Sequence, residues 1–234
     1  MAVVEVACAN CRQAKGVVKN GKAETGHQRY LCRNCKKSFQ LEYVYNANQP
    51  GTHHQIIDMT MNGSGVRDIG RVLKISPTTV IGPFKKLSPR TVTQLPFENA
   101  RVKILCEVDE QWSFVGNKKN QRWLFYAWEP RFKRVIAHAF GRRLGRTLKK
   151  LLKRLKPYKF SFYCTDNWKP YSSSLPEERH VIGKIFTQRI ERQNLTLRTR
   201  LKRLMRKTIC FSRSVEIHDK VISEFISREY YQQL

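Results

Sequence analysis

From about residue 100, the spacing of apolar and polar residues predicts strands first and helices afterwards. The run 102–108 is rich in β-forming residues and ends at Asp109. Two further runs, 111–116 and 121–128, flank the polar segment Asn117–Asn120 and predict a β-hairpin. The remaining predicted strands are 134–140, 159–165, which ends at Asp166, and a short fifth strand within 180–186.

Helical patterns alternate with these later strands. Residues 144–156 predict a basic amphipathic helix, and a short helix is expected around 168–174. Residues 187–208 predict a long helix that carries Glu191. Its apolar stripe, spaced as a core-facing helix requires, is Ile190, Leu197, Leu201 and Leu204.

This order of elements, βββαβ(α)βα, resembles the ribonuclease H-like fold, an α+β or α/β architecture with a mixed sheet of about five strands. In that fold the first and fourth strands are neighbours, which would bring Asp109 and Asp166 together, and a later helix would add Glu191. Three converging carboxylates repel one another unless divalent cations lie between them. Asp109 is preferred because it ends the apolar run and lies on the same face as Glu107. Glu110, which would face the other way in an extended strand, is the alternative.

The segment before residue 91 predicts a helix-turn-helix. A helix over 53–61 is broken by Asn62–Gly65, and helical spacing resumes at Val66. Ser76 is a natural N-cap, followed by Pro77 at the first helical position. The expected DNA contacts are Thr78 and Thr79 on bases and Lys85 and Lys86 on phosphates. Gly82 and Pro83 should kink or shorten this helix, and an ordinary helical hairpin is the alternative interpretation.

Four of the seven cysteines form two CxxC pairs near the start of the chain: Cys8, Cys11, Cys32 and Cys35. This spacing is typical of a structural zinc site with four thiolate ligands, and the alternative is two reduced pairs without metal. We therefore predict a zinc finger over 1–48, a helix-turn-helix over 49–90, a linker over 91–100 and the ribonuclease H-like domain over 101–234.

The charge of the chain indicates a polyanionic partner. The formal net charge is +27 over 234 residues, and the cations are spread along the whole chain. Nucleic acid fits this distribution better than a membrane surface does. The basic helix, including Arg146 and Lys150, is expected to contact DNA phosphates, although a solvated helix face would look the same. The chain shows no signal peptide and no apolar run of roughly 18 residues, so we expect a cytoplasmic, nucleoid-associated bacterial protein without membrane contact.

Several of these motifs together resemble the transposases of the insertion sequence IS-one family, within the DDE transposase group. They are the two CxxC pairs, the helix-turn-helix, VDEQWSFVG, YCTDNW and IERQNLTLRTRLKRLMRKTICFS. The resemblance implies Asp109, Asp166 and Glu191 as a catalytic triad that holds Mg²⁺ or Mn²⁺. It also implies DNA contacts by Asn194 and Arg198, and we expect Lys202 in the same segment to join them.

The function implied by the resemblance is transposition. The double-stranded terminal inverted repeats would be bound by the zinc finger and the helix-turn-helix. Water would cut the element ends, the freed 3′-hydroxyl groups would attack target DNA, and two ends would require a homo-oligomer, at least a dimer. Two alternatives remain open from the residues: a non-catalytic DNA-binding repressor, and a structure-selective ribonuclease H-like nuclease.

Overall fold

The computed structural model describes residues 5–94, 105–205 and 211–231. Contacts within the chain define two compact units. One comprises Met1–Met59 and Val66–Pro83, and the other comprises Thr60–Gly65 and Phe84–Leu234. In the described part of the chain, no helix is both long enough and apolar enough to span a bilayer.

The first unit begins with a small antiparallel sheet, whose strands in the described residues are β1 (Val17–Lys22), β2 (Gln28–Cys32) and β3 (Ser38–Gln40). Three helices follow: α1 (Thr52–Met61), α2 (Val66–Leu73) and α3 (Pro77–Lys86). The predicted succession of a metal-binding module and a helix-turn-helix is therefore confirmed.

The turn between α2 and α3 depends on a close backbone approach. The N–H of Ile75 donates to the carbonyl of Gly70 at 3.0 Å, and Lys74 adopts a φ of 53°. A β-carbon on Gly70 would lie 2.9 Å from the Ile75 carbonyl oxygen, so glycine is required there. The predicted N-cap is present, because the Thr79 N–H donates to the Ser76 hydroxyl at 3.1 Å.

The expectation that α3 would be kinked or shortened at Pro83 is wrong on length, since the helix continues to Lys86 with Pro83 inside it. Proline removes one intrahelical hydrogen bond, and that loss is offset when the flanking turns are fixed by packing. Val80 and Phe84, on either side of the proline, are both fully buried.

The second unit is built on a mixed sheet, which has five strands in the described residues, in the order β6-β5-β4-β7-β8. The strands are β4 (Leu105–Val115), β5 (Asn117–Glu129), β6 (Arg134–Gly141), β7 (Phe162–Thr165) and β8 (His180–Ile182). Strands β4, β5 and β6 are antiparallel neighbours, whereas β7 runs parallel to both β4 and β8. This arrangement confirms the predicted ribonuclease H-like architecture.

Helices cover both faces of this sheet: α4 (Gly145–Leu155), α5 (Lys169–Ser172), α6 (Gln188–Arg200) and α7 (Val215–Ile226). On one face, Leu148 and Leu151 of α4 pack with Phe125. On the other face, side chains of α6 and α7 pack around Tyr126. The two cores arise because alternate residues of β5 point to opposite faces.

Strand β4 differs from its prediction, because it passes through Asp109 and continues to Val115. The hydrophobic pattern predicted an earlier end of this strand, because polar residues occupy every second position: Glu107, Asp109, Gln111 and Ser113. Each of these side chains forms at least one hydrogen bond to another element, which offsets the cost of burying a polar face there. The hairpin is confirmed, but its turn lies at Gly116 rather than at residues 117–120.

The long helix predicted over 187–208 is shorter in the structure. Helix α6 ends at Arg200, and a 3₁₀ turn, Lys202–Leu204, follows. Leu201 and Leu204 are buried as predicted, because a 3₁₀ turn also places residues three apart on one side. Residues 206–208 lie outside the described residues. Helix α7 was missed, although Ser214 caps it by accepting from the Ile217 N–H.

Candidate active site and zinc site

Two of the predicted catalytic carboxylates meet at the junction of β4 and β7. The parallel register pairs Leu105 with Phe162 and Glu107 with Cys164. Extending this register by two residues along each strand aligns Asp109 with Asp166, which directly follows β7, and the Asp166 carboxylate contributes to raising the pKa of Asp109. Neighbouring strands are about 4.8 Å apart. The sheet therefore brings together two acids that are far apart in sequence.

Asp109 is held from two sides. Its Oδ1 accepts from the Glu110 backbone N–H at 2.8 Å, and its Oδ2 accepts from Asn194 Nδ2 at 2.6 Å. Burial raises the pKa of Asp109 to about 7, with further contributions from the carboxylates of Glu110 and Asp166, against the lowering effect of these hydrogen bonds. The site therefore opposes a second negative charge, which is the situation that a bound cation relieves.

Asn194 connects Asp109 to the core. Its Oδ1 accepts from the Tyr126 hydroxyl at 2.9 Å, and its backbone carbonyl accepts from Gln111 Nε2 at 3.2 Å. The side chain is 7% exposed. Both ends of the amide are therefore used inside the protein, and the structure places Asn194 behind Asp109 instead of on the surface where a DNA contact was expected.

Helix α6 is fixed to the sheet by a buried carboxylate. The Ile190 N–H, in the first turn of α6, donates to Glu107 Oε2 at 2.8 Å. Thr187, at the N-cap position, makes no side-chain cap hydrogen bond, so Glu107 satisfies a donor that the helix leaves open. Burial raises the pKa of Glu107, which the Ile190 hydrogen bond opposes. Glu107 thereby sets the position of the helix that carries Glu191 and Asn194.

Glu191, the third predicted acid, lies in the first turn of α6 and is exposed. It is three residues before Asn194, and residues with that spacing are neighbours on a helix surface. Within the described residues, the only compact group of three or more acids, histidines or cysteines is the four-cysteine group. The structure thus brings Asp109 and Asp166 together and leaves Glu191 on the adjoining helix, outside a closed ligand set.

Glu110, the alternative first acid, faces the other side of the sheet. Its carboxylate pairs with Arg143 at 2.6 Å and accepts from the Tyr171 hydroxyl. The Arg143 guanidinium also lies over the rings of Trp123 and Trp168, at 5.4 and 4.9 Å from their centroids. Glu110 is therefore already paired, and Asp109 is the acid that faces α6.

The two CxxC pairs form matching turns that face each other. Cys8 Sγ lies 3.6 Å from Cys35 Sγ, Cys11 Sγ lies 3.6 Å from Cys32 Sγ, and all four sulfur atoms are within 4.8 Å of one another. In each pair, the N–H of the second cysteine contributes most to lowering the pKa of the first, which for Cys8 is about 6. Thiolates are the form that binds zinc. The geometry indicates a structural zinc site, as predicted.

The predicted DNA contacts of the helix-turn-helix differ in exposure. Thr78, Lys85 and Lys86 are exposed. The Thr79 hydroxyl is instead engaged with the Tyr45 hydroxyl at 3.0 Å and with the Ser76 hydroxyl at 2.8 Å. Thr78 is therefore the threonine that is available at the start of α3.

The predicted DNA contacts of the second unit are spread over two places. Lys202 is exposed and Arg198 is half-buried, both beyond Asn194 in the chain. Arg146 and Lys150 are exposed on α4. Lys150 lines a cavity of about 270 Å³ between α4, β6 and α7, together with three other cations, Arg122, Arg154 and Lys220.

Sequence reasoning did not find the roles of Glu107, Tyr126 and Gln111. The available signal was the alternation of polar residues along β4, which marks one face that must find hydrogen-bond partners if it is buried. The partners themselves lie on α6, more than 60 residues away in every case, and the sequence does not show them.

Comparison with known proteins agrees with this geometry. A family model described as IS1 transposase matches residues 103–232, which includes both aspartates and Glu191. The chain belongs to the IS1 transposase family. Two further models match the region before residue 103. The InsA N-terminal domain, a zinc ribbon, matches residues 1–36, and the InsA C-terminal domain, a helix-turn-helix, matches residues 43–87.

Individual relatives support the same assignment. The transposase is 54% identical over 128 residues to the insertion element iso-IS1n protein InsB of Shigella dysenteriae, covering 55% of this chain and 98% of the relative. It is 49% identical over 150 residues to the insertion element IS1 4 protein InsB of Escherichia coli, covering 64% of this chain and 90% of the relative. One polypeptide thus combines modules named after InsA with a long region similar to InsB.

Proposed function

We propose that this transposase cuts DNA at the ends of its element and joins the resulting 3′-hydroxyl groups to target DNA, with Asp109, Asp166 and Glu191 as ligands of divalent metal ions. The observation that carries the proposal is the parallel β4–β7 register, whose extension by two residues aligns Asp109 with Asp166. Helix α6, which carries Glu191, is joined to the same strand through Asn194 and Glu107.

The residues present fit Mg²⁺ or Mn²⁺. Carboxylate oxygens are the ligands that these ions prefer. The pKa of Asp109, raised to about 7 by burial and by neighbouring carboxylates, supports a site that favours a bound cation. When bound, such ions supply Lewis-acid stabilisation of the attacking and leaving oxygens in an in-line phosphoryl displacement.

The chain itself supplies orientation. Asn194, held by Tyr126, fixes Oδ2 of Asp109, and the Trp168 N–H fixes Asp166 by donating to its Oδ1 at 3.1 Å. In the first reaction, water attacks a phosphodiester and leaves a 3′-hydroxyl and a 5′-phosphate. In the second, that 3′-oxygen attacks a target phosphodiester and displaces the target's own 3′-oxygen.

The N-terminal part of the chain would recognise the DNA. We assign the terminal inverted repeats to the zinc ribbon and the helix-turn-helix, with Thr78 toward bases and Lys85 and Lys86 toward phosphates, because these side chains are exposed at α3. The domain division into 1–48, 49–90 and 101–234 is part of this proposal, as is an oligomer of at least two copies that holds two ends. The protein would act on the bacterial nucleoid.

The test is cleavage of labelled DNA that carries an element end, in the presence of Mg²⁺. The intact protein should yield a 3′-hydroxyl product, while Asp166→Asn and Glu191→Gln should bind the same DNA and yield none. Glu177→Gln is the matched control, because Glu177 is also an exposed glutamate of the second unit and lies outside the proposed triad. Binding without cleavage by the intact protein, with several divalent metals and with paired ends, would favour a non-catalytic repressor.

A further inference from the structure

Two large apolar side chains stand in solvent at the tip of a short turn. Ile185 is 78% exposed and Phe186 is 49% exposed, in the 3₁₀ turn Lys184–Phe186 that joins β8 to α6. A pair of adjacent exposed apolar side chains has no role in the core of the molecule. Such groups are commonly found where a partner is contacted.

The turn lies between the proposed catalytic acids. At its start, the Gly183 N–H donates to the carbonyl of Thr165 at 3.2 Å, and Thr165 directly precedes Asp166. At its end, Thr187 leads into α6, where the Glu191 N–H donates to the Thr187 carbonyl at 3.0 Å. The apolar tip is therefore fixed at the edge of the site that would hold the scissile phosphate.

The turn is held in shape by its own backbone. The Phe186 N–H donates to the Gly183 carbonyl at 3.1 Å. Gly183 has a φ of 157°, and a β-carbon there would lie 3.3 Å from Cδ2 of Phe186. The aromatic ring thus packs closely over the glycine, and a larger residue at 183 would displace it.

Charge identifies the partner. Three exposed cations lie close to the tip in the chain: Lys184 in the turn itself, and Arg189 and Arg192 at the start of α6. This cationic rim is complementary to phosphates. A second copy of the chain is disfavoured as the partner of this surface, because contact between two such surfaces would bring their exposed cations together and like charges repel. Apolar tips framed by cations are suited to base steps of DNA, since Phe and Ile side chains are used as wedges that unstack bases.

We propose that Ile185 and Phe186 form a wedge that inserts into the base stack of the DNA next to the scissile bond and splays the strand toward Asp109 and Asp166. The inference rests on the proposed DNA cleavage. Asp109 is half-buried on β4, where Asn194 of α6 donates to its carboxylate, so an unstacked strand can bring its phosphate closer to this carboxylate than a stacked duplex can. The wedge acts on the nucleotides and takes no part in the chemical step.

The first test measures base unstacking without cleavage. Duplexes that carry 2-aminopurine on either side of the scissile bond are bound in the absence of added Mg²⁺, and their fluorescence rises when the probe unstacks. The intact protein should raise the fluorescence, whereas Phe186→Ala and the double variant Ile185→Ala/Phe186→Ala should bind the same duplex without the rise. Phe186→Leu, which keeps an apolar tip, should retain most of it.

Phe132→Ala is the matched control. Phe132 is 47% exposed, close to the value for Phe186, but it lies between β5 and β6. This variant should behave like the intact protein. A fluorescence rise that persists in the double variant overturns the wedge. A second outcome also overturns it: without DNA, Phe186→Ala has a lower molar mass than the intact protein when measured by light scattering. The surface would then join copies of the chain.

The second test is rescue. Unstacking costs least where bases are unpaired, so Phe186→Ala should cut fully paired ends about tenfold more slowly than the intact protein and cut ends with a mismatch beside the scissile bond at nearly the same rate. Equal defects on paired and mismatched ends overturn the proposal. If the intact protein cuts neither substrate, the proposed cleavage fails, and the 2-aminopurine signal still decides whether the wedge exists.

Discussion

Replacing Asn194 tests whether the hydrogen bonds behind Asp109 hold the site together. In Asn194→Ala, Asp109 loses the bond donated by Nδ2 at 2.6 Å, and the Tyr126 hydroxyl loses an acceptor at 2.9 Å. Tyr126 keeps its second acceptor, the Ile190 carbonyl at 3.2 Å. The substitution therefore leaves one buried carboxylate less well satisfied and a hydroxyl with one partner.

The expected loss follows from these two bonds. A hydrogen bond to a charged group contributes about 1.5–3 kcal/mol, and a neutral one contributes about 0.5–1.5 kcal/mol. With a pKa of about 7, Asp109 is only partly ionised at neutral pH, which places the first contribution near the lower end of its range. We expect Asn194→Ala to lower the unfolding free energy of the second unit by roughly 2–3 kcal/mol.

Urea unfolding followed by tryptophan fluorescence isolates this unit. The protein has four tryptophans, at positions 112, 123, 128 and 168, and all belong to the second unit. The signal therefore reports unfolding of the second unit rather than of the zinc ribbon or the helix-turn-helix. Leu195→Ala, next to Asn194 but 61% exposed, is the control and should change the unfolding free energy by less than about 0.5 kcal/mol.

Asn194→Asp separates hydrogen bonding from packing. Aspartate has nearly the same volume and can still accept from Tyr126, but in its ionised form it cannot donate to Asp109 and adds a like charge beside it. It should destabilise the second unit at least as much as alanine does. If Asn194→Asp unfolded at the same urea concentration as the intact protein, packing alone would explain the position, and the reasoning about Asp109 would be refuted.

Substitutions at three other positions probe separate parts of the structure. Cys8→Ser removes one sulfur atom of the four-cysteine group, so specific binding to element ends should be lost. The urea midpoint detected by tryptophan fluorescence should stay unchanged. Retained specific binding would contradict the zinc site. Glu107→Ala leaves the Ile190 N–H without its acceptor and should lower the free energy of unfolding by about 1–3 kcal/mol in the same urea assay. Glu107→Gln keeps an acceptor and should lower it by less than about 1 kcal/mol. Equal losses for the two variants would exclude a capping role for Glu107. Burial lowers the pKa of His138 to about 3, whereas in the unfolded chain this pKa is near 6.5. As the pH drops from about 6.5 toward 3, the unfolded state therefore binds a proton before the folded state does. The free energy of unfolding should fall over this range by up to about 1.4 kcal/mol per pH unit for this group. His138→Gln should flatten that slope between pH 6 and 5, and parallel curves for the two proteins would show that His138 does not contribute.

Local signals in the sequence determined the modules. Two CxxC pairs predict a metal site, because the two residues between the thiols let one turn direct both sulfur atoms to one point. Ser76 and Pro77 predict the start of α3, because an N-cap and a first-turn proline act within one turn of backbone. The architecture of the second unit is also predicted from local signals, because strands and helices each have a characteristic spacing of apolar residues along the chain.

Tertiary structure decided how the acids are used. Asp109 and Glu110 are adjacent in sequence, yet one accepts from Asn194 of α6 and the other pairs with Arg143. The opposite orientations follow from the strand period, but the partners come from elements that are 85 and 33 residues away. Only the packed sheet, with its helices on both faces, determines which carboxylate is neutralised by a cation and which one remains facing α6.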